Sequence, residues 1–126
     1  MPRFVILKHD VPSDSDRSNH FDLMLECEGV LLTWALEQVP QDGHSQFARR
    51  LPDHRLKYLD HEGEIAGGRG FVWQVDVGSC SMQRNDADQV VATITGDTYQ
   101  GQIELAQISE ERWKLKFTSA DSKEPG

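Results

Sequence analysis

His20-Phe21-Asp22-Leu23-Met24-Leu25-Glu26-Cys27, followed by Glu28-Gly29 and Val30-Leu31-Leu32-Thr33-Trp34-Ala35-Leu36, is the stretch that decides the fold. Phe21, Leu23 and Leu25 alternate with His20, Asp22, Met24 and Glu26. Period-two alternation marks a strand with two different faces. Glu28-Gly29 is a turn signal, so residues 30–36 read as the returning strand of a hairpin.

Working outward, Phe4 to Lys8 reads as a first strand, and the Ser-, Asp- and Pro-rich run from Asp10 to Asn19 as a loop. Val39 to Phe47 is polar and loop-like, and Pro52 to Leu59 is expected to form a short helix with Asp53 near its start. Gly63, Gly67, Gly68 and Gly70 crowd one loop. Phe71 to Val77, Gln89 to Thr95, Thr98 to Leu105 and Arg112 to Phe117 complete the strands, with Gly96-Asp97 as a turn. Many short strands and little helix indicate an all-β sandwich or barrel. Residues 1–118 are expected to form one domain, and 119–126 a disordered tail.

Composition narrows the class. The chain has 126 residues, 37% apolar and 27% charged, which suits one globular domain. No apolar run reaches bilayer length and no signal peptide is evident, so the expected location is the cytoplasm, without membrane contact. Two cysteines without CxxC spacing, Cys27 and Cys80, are expected to be free thiols there. A net charge of −8 argues against broad non-specific DNA binding, yet suits attraction of a divalent cation.

The chemical signal is His20-Phe21-Asp22. Side chains two apart on a strand share a face, so an imidazole and a carboxylate can converge on one ion. His9, ending the first strand, adds a third ligand if the two strands are neighbours. His54 and Tyr58 are four apart, so a helical turn would put both on one face, where each can bond a phosphate oxygen. The segment Gly67-Gly68-Arg69-Gly70 can cradle an anion through backbone N–H groups, although it is neither a P-loop nor a dinucleotide fingerprint. Trp34, Trp73 and Trp113 are read as core, and His44 and His61 as structural or exposed.

Together, Lys8-His9-Asp10, His20-Phe21-Asp22-Leu23-Met24-Leu25-Glu26, Gly29-Val30-Leu31, Thr33-Trp34-Ala35, Asp53-His54 with Tyr58, and Glu62-Gly63-Glu64-Ile65 resemble one family in order. It is the 3′-phosphoesterase domain of bacterial DNA ligase D, also called the polymerase/ligase N-terminal domain. The resemblance runs from about Arg3 to Phe117. It implies a small antiparallel β-barrel of about eight strands with one or two short helices. It also implies manganese-dependent trimming of DNA or DNA–RNA 3′ ends, removing a terminal ribonucleotide and then the 3′-phosphate. Zn²⁺ and Co²⁺ are the alternative ions. By position, the resemblance makes His9, His20 and Asp22 the metal ligands, His54 a phosphate-contacting catalytic histidine, and Tyr58 its support.

This chain departs from the family at two positions. The arginine two residues beyond the HxD aspartate is replaced by Met24, and a Pro-Lys-Gly after Trp-Ala by Glu37-Gln38-Val39. A guanidinium at the first position would clamp phosphate bidentately, which methionine cannot do. Arg49, Arg50, Arg55 and Arg69 are the candidates to restore positive charge, with Arg69 assigned to phosphate binding. Two functions follow. One is a metal-dependent phosphoesterase of nucleic-acid 3′ ends, monomeric and working beside DNA-repair ligases and polymerases. The other is a catalytically weakened metal- and phosphate-binding module that binds nucleic-acid ends or a protein partner.

Overall fold

The structure, a computed structural model, describes residues 1–12 and 18–120. Its strands are β1 (Arg3–Asp10), β2 (His20–Cys27), β3 (Val30–Leu36), β4 (Ser45–His54), β5 (Gly63–Glu64), β6 (Phe71–Asp86), β7 (Gln89–Gly96), β8 (Gln100–Ser109) and β9 (Arg112–Ser119). The hairpin forms as the alternation requires: β2 and β3 pair antiparallel with Cys27 opposite Val30. Glu28 and Gly29 both have positive φ, the backbone a two-residue hairpin turn demands.

The sheet order is β1-β2-β3-β4-β9-β8-β7-β6-β5, and β1 also pairs with β6. That pairing closes eight antiparallel strands into a ring, with β5 added outside it on β6. The all-β expectation is met. The inner face of the ring buries Phe4, Ile6, Leu23, Leu25, Trp34 and Trp113 among others. Trp34 and Trp113 meet edge to face at 5.6 Å, and the Arg50 guanidinium lies 4.5 Å from the Trp34 ring centroid.

Alternation gives β1 and β2 a second apolar face. Val5, Leu7 and Met24 pack outside the ring with Leu31 and Val72, under Leu59 and Ile65. Leu59 ends a 3₁₀ turn, Leu56–Leu59, and Ile65 follows β5. Each such buried side chain contributes roughly 1.5–3 kcal/mol. This minor core fixes the wall on which the candidate site is built.

On β6, paired with Ile6 of β1, Asp76 is 4% exposed and accepts hydrogen bonds from the backbone N–H groups of Asp97, Thr98 and Tyr99. The carboxylate thereby holds the β7–β8 turn. Gly96 is required there, because a Cβ would come within 2.2 Å of Asp76 Oδ2.

Four expectations are corrected. The polar run expected as a loop through Phe47 yields to β4 at Ser45, and the helix expected from Pro52 shrinks to the 3₁₀ turn. β4 needs only a few inward residues, such as Ala48. Pro52 is tolerated because it lies beyond the β9 pairing, which ends at Arg49, in an irregular stretch of the β3 ladder. Trp73 is not core: it is 45% exposed and stacked parallel on Phe71. It stands opposite Lys8, past the end of the inner core. Finally, Ser119 closes β9, its N–H donating to Asp42 Oδ1 at 2.8 Å, while residues 121–126 of the expected tail lie outside the described residues. Both cysteines are free thiols. Among the described residues no helix is long and apolar enough to cross a membrane.

Candidate metal centre

β1 and β2 are hydrogen-bonded neighbours, and their register places His9 directly opposite His20. Asp22 follows two residues along β2, on the same outer face. The three side chains converge: His9 Nδ1 is 3.3 Å from Asp22 Oδ2, and His20 Nε2 is 3.1 Å from Asp22 Oδ1. One ligand atom from each of the three lies within 4.8 Å of the others. Ligand atoms about 2.1 Å from a common ion stand about 3–4 Å apart, so the set has the scale of a metal site.

Backbone carbonyls orient both imidazoles. His9 Nε2 faces the Arg69 carbonyl at 3.1 Å, and His20 Nδ1 faces the Ser18 carbonyl at 3.0 Å. A carbonyl only accepts, so those nitrogens carry the hydrogens. The neutral tautomers then turn the lone pairs of His9 Nδ1 and His20 Nε2 toward the Asp22 carboxylate. Two lone pairs and an anion repel one another unless a cation, proton or metal ion, lies among them. Carbonyl-anchored imidazoles are also the usual support of metal-bound histidines. Burial pushes the Asp22 carboxyl upward, but hydrogen bonds and charge attraction from the His20 and His9 rings in their protonated form outweigh it and hold the pKa at about 2. The carboxylate is therefore ionised throughout the physiological range. Two imidazole nitrogens and one carboxylate suit manganese, zinc or cobalt.

The centre opens into a cleft of about 400 Å³. His9 and Asp22 form one end, His54, Tyr58 and Arg69 border it, and Leu7, Met24, Ile65 and Val72 give it an apolar floor. His54 and Tyr58 do come together, with ring centroids 5.6 Å apart, but not on one helix. His54 ends β4 and Tyr58 lies in the 3₁₀ turn that follows. His54 Nδ1 donates to the Pro52 carbonyl at 2.8 Å, which directs Nε2 away from its own strand. His61, donating to the Glu64 carbonyl, packs edge-on against Tyr58.

The glycine loop reaches the site through its backbone. Its observed contact is the Arg69 carbonyl on His9, and Arg69 Nε donates back to the Ala66 carbonyl. Gly70 is obligatory, because at φ +102° a Cβ would stand 2.1 Å from the Asp10 carbonyl oxygen. Of the other arginines, Arg49 pairs with Glu111 at 2.7 Å and Arg50 covers the two core tryptophans, so neither lines the cleft. Met24 is 2% exposed within the minor core. The Ser18 and Arg69 carbonyls carry no side-chain signal, and sequence reading passes over them.

Sequence comparisons with known proteins identify the family. The family model described as the DNA Ligase D 3′-phosphoesterase domain matches residues 8–119. The chain belongs to that family. It is 30% identical over 121 residues to the multifunctional non-homologous end joining DNA repair protein LigD of Mycobacterium tuberculosis, covering 87% of this chain and 15% of that protein. The Mycolicibacterium smegmatis LigD is 27% identical over 129 residues, covering 88% of this chain and 16% of that protein. The Pseudomonas aeruginosa LigD is 34% identical over 68 residues, 52% of this chain. This chain thus spans about 15% of the length of the mycobacterial relatives.

Proposed function

We propose that the chain is a manganese-dependent phosphoesterase that trims nucleic-acid 3′ ends in DNA end repair. The observation that carries this reading is one cleft lined both by His9 and Asp22, two members of the three-residue ligand cluster, and by His54, Tyr58 and Arg69. Family membership supports the substrate class. Within this reading the protein is a cytoplasmic monomer that works beside DNA-repair ligases and polymerases.

His9, His20 and Asp22 hold the ion. Bound Mn²⁺ supplies Lewis-acid polarisation of the phosphoryl group. His54, with Nδ1–H fixed on the Pro52 carbonyl, acts as the imidazolium: it donates Nε2–H to a phosphate oxygen and stabilises the charge that develops there, or gives that proton to the leaving oxygen and is left neutral. Tyr58 braces the His54 ring and offers its hydroxyl to the same phosphate. Arg69 adds positive charge at the rim, and the apolar floor limits water in the cleft.

The test is release of phosphate or a terminal ribonucleotide from primer–template 3′ ends. The expected result is turnover that requires Mn²⁺ and falls about a hundredfold in His54→Ala, while manganese binding is retained. One observation favours the second reading, a binding module with weakened turnover: Met24 is buried among aliphatic side chains where the resemblance expects a guanidinium. Absence of turnover on a broad panel of phosphate esters, with manganese still bound, would establish that reading instead.

A further inference from the structure

Beyond His54 and Tyr58 the cleft continues into a second groove of about 410 Å³, bordered by Pro52, Asp53, Arg55, Lys57 and Arg69. His54, Tyr58 and Arg69 line both spaces, so the two are contiguous. Arg55 and Lys57 line only the second and are exposed. We infer that this groove is a second phosphate subsite, taking the phosphodiester one nucleotide 5′ of the strand end held in the metal cleft.

The charge pattern points there. The chain carries a net charge of −8, yet this groove gathers Arg55, Lys57 and Arg69 around a single carboxylate, Asp53. That carboxylate is already engaged by Arg50 at 3.6 Å. Among the described residues, no carboxylate lies within ion-pair distance of Arg55, Lys57 or Arg69; Arg112, Lys114 and Lys116 of β9 also have none, but only the first three line one groove that adjoins the metal cleft. Three cations gathered around one carboxylate that is shared with Arg50 leave a net positive charge, which raises the local potential and favours an anion between them. The short 3₁₀ turn places Arg55 and Lys57 two residues apart on either side of Leu56, next to Tyr58. A single-stranded backbone leaving the metal cleft past Tyr58 enters this groove first. Phosphate contacts of this kind set register without reading sequence. They also give an acidic protein a local means of holding a polyanion.

This inference rests on the proposed action at 3′ ends, but its test reads binding rather than turnover. A fluorescent single-stranded oligonucleotide ending in a 3′-phosphate is rapidly mixed with the full chain in Mn²⁺ across a salt series, with binding read before turnover, and a nucleoside 3′-phosphate serves as the one-phosphate probe. The expected result for Arg55→Gln/Lys57→Gln is an affinity loss of about tenfold at low salt and a slope of log affinity against log salt flatter by about 1.4, two single-strand contacts' worth. Nucleoside 3′-phosphate binding stays at the wild-type value. Arg55→Glu, also at an exposed position, gives a larger loss than Arg55→Gln, and thermal melting confirms that each variant is folded. An unchanged slope in the double variant, or no salt-dependent oligonucleotide binding by the wild type, overturns the subsite. Phosphate release with an unchanged slope would leave the catalytic reading standing alone. The expected slope change without phosphate release would leave the subsite standing alone.

Discussion

His9 and His20 are directly opposed partners of the β1–β2 ladder, their ring centroids 4.7 Å apart, with Asp22 between their inner nitrogens. Each of the three is needed to complete the donor set, so Asp22→Ala and His9→Ala are each expected to weaken Mn²⁺ binding by about a hundredfold or more. Calorimetric titration of the purified chain measures it. Unchanged binding in Asp22→Ala would remove this cluster as the metal site.

Met24 shares the outer face of β2 with Asp22 and lines the cleft floor. Met24→Arg directs a guanidinium into that cleft along an aliphatic wall. Stability is expected to fall by about 1–3 kcal/mol, and Mn²⁺-dependent phosphate release to rise by about tenfold or more. Met24→Leu conserves volume and is expected to leave both near wild type. A folded arginine variant with no gain in turnover would show that methionine is not what limits catalysis.

Asp76 is a structural carboxylate, far in role from the metal centre. Asp76→Ala leaves the N–H groups of Asp97, Thr98 and Tyr99 without their acceptor and is expected to cost about 3 kcal/mol. The melting temperature should drop by about 10 °C, with Mn²⁺ affinity unchanged. A melting curve that matches wild type would contradict the anchoring role.

Burial pushes the Cys80 thiol up to about 11 from an ordinary value of 9.0. The folded state therefore keeps a proton that the unfolded chain releases between pH 9 and 11, so stability falls as pH rises through that window. Denaturant titrations at pH 8, 9, 10 and 11 are expected to show a steeper decline for wild type than for Cys80→Ala. In the native state a thiol reagent should label the half-buried Cys27, while Cys80 reacts only on unfolding.

The hairpin of β2 and β3 is legible in sequence because one face is core and the other is not, so its residues alternate. The same periodicity puts His20 and Asp22 on one face, and only the β1 register was needed to add His9. β4 is obscure for the opposite reason. Little of it beyond Ala48 is buried, and its polar residues and Pro52 resemble a loop. The four-residue spacing of His54 and Tyr58 suggests a helix, yet a strand end followed by a 3₁₀ turn brings them together equally well. Trp73 misleads because composition does not reveal where the ring stops covering its inner face.

β1 is held on both sides, by β2 and by β6, and its ladder with β6 is irregular between Ile6 and Leu7. The ring is thus a hoop fastened along one seam, and the ligand cluster is stitched across the β1–β2 side of that strand. In the proposed reading an ion bound there would rivet β1 to β2. Metal loading would then be a mechanical event as well as a chemical one: it would raise the energy needed to part those two strands.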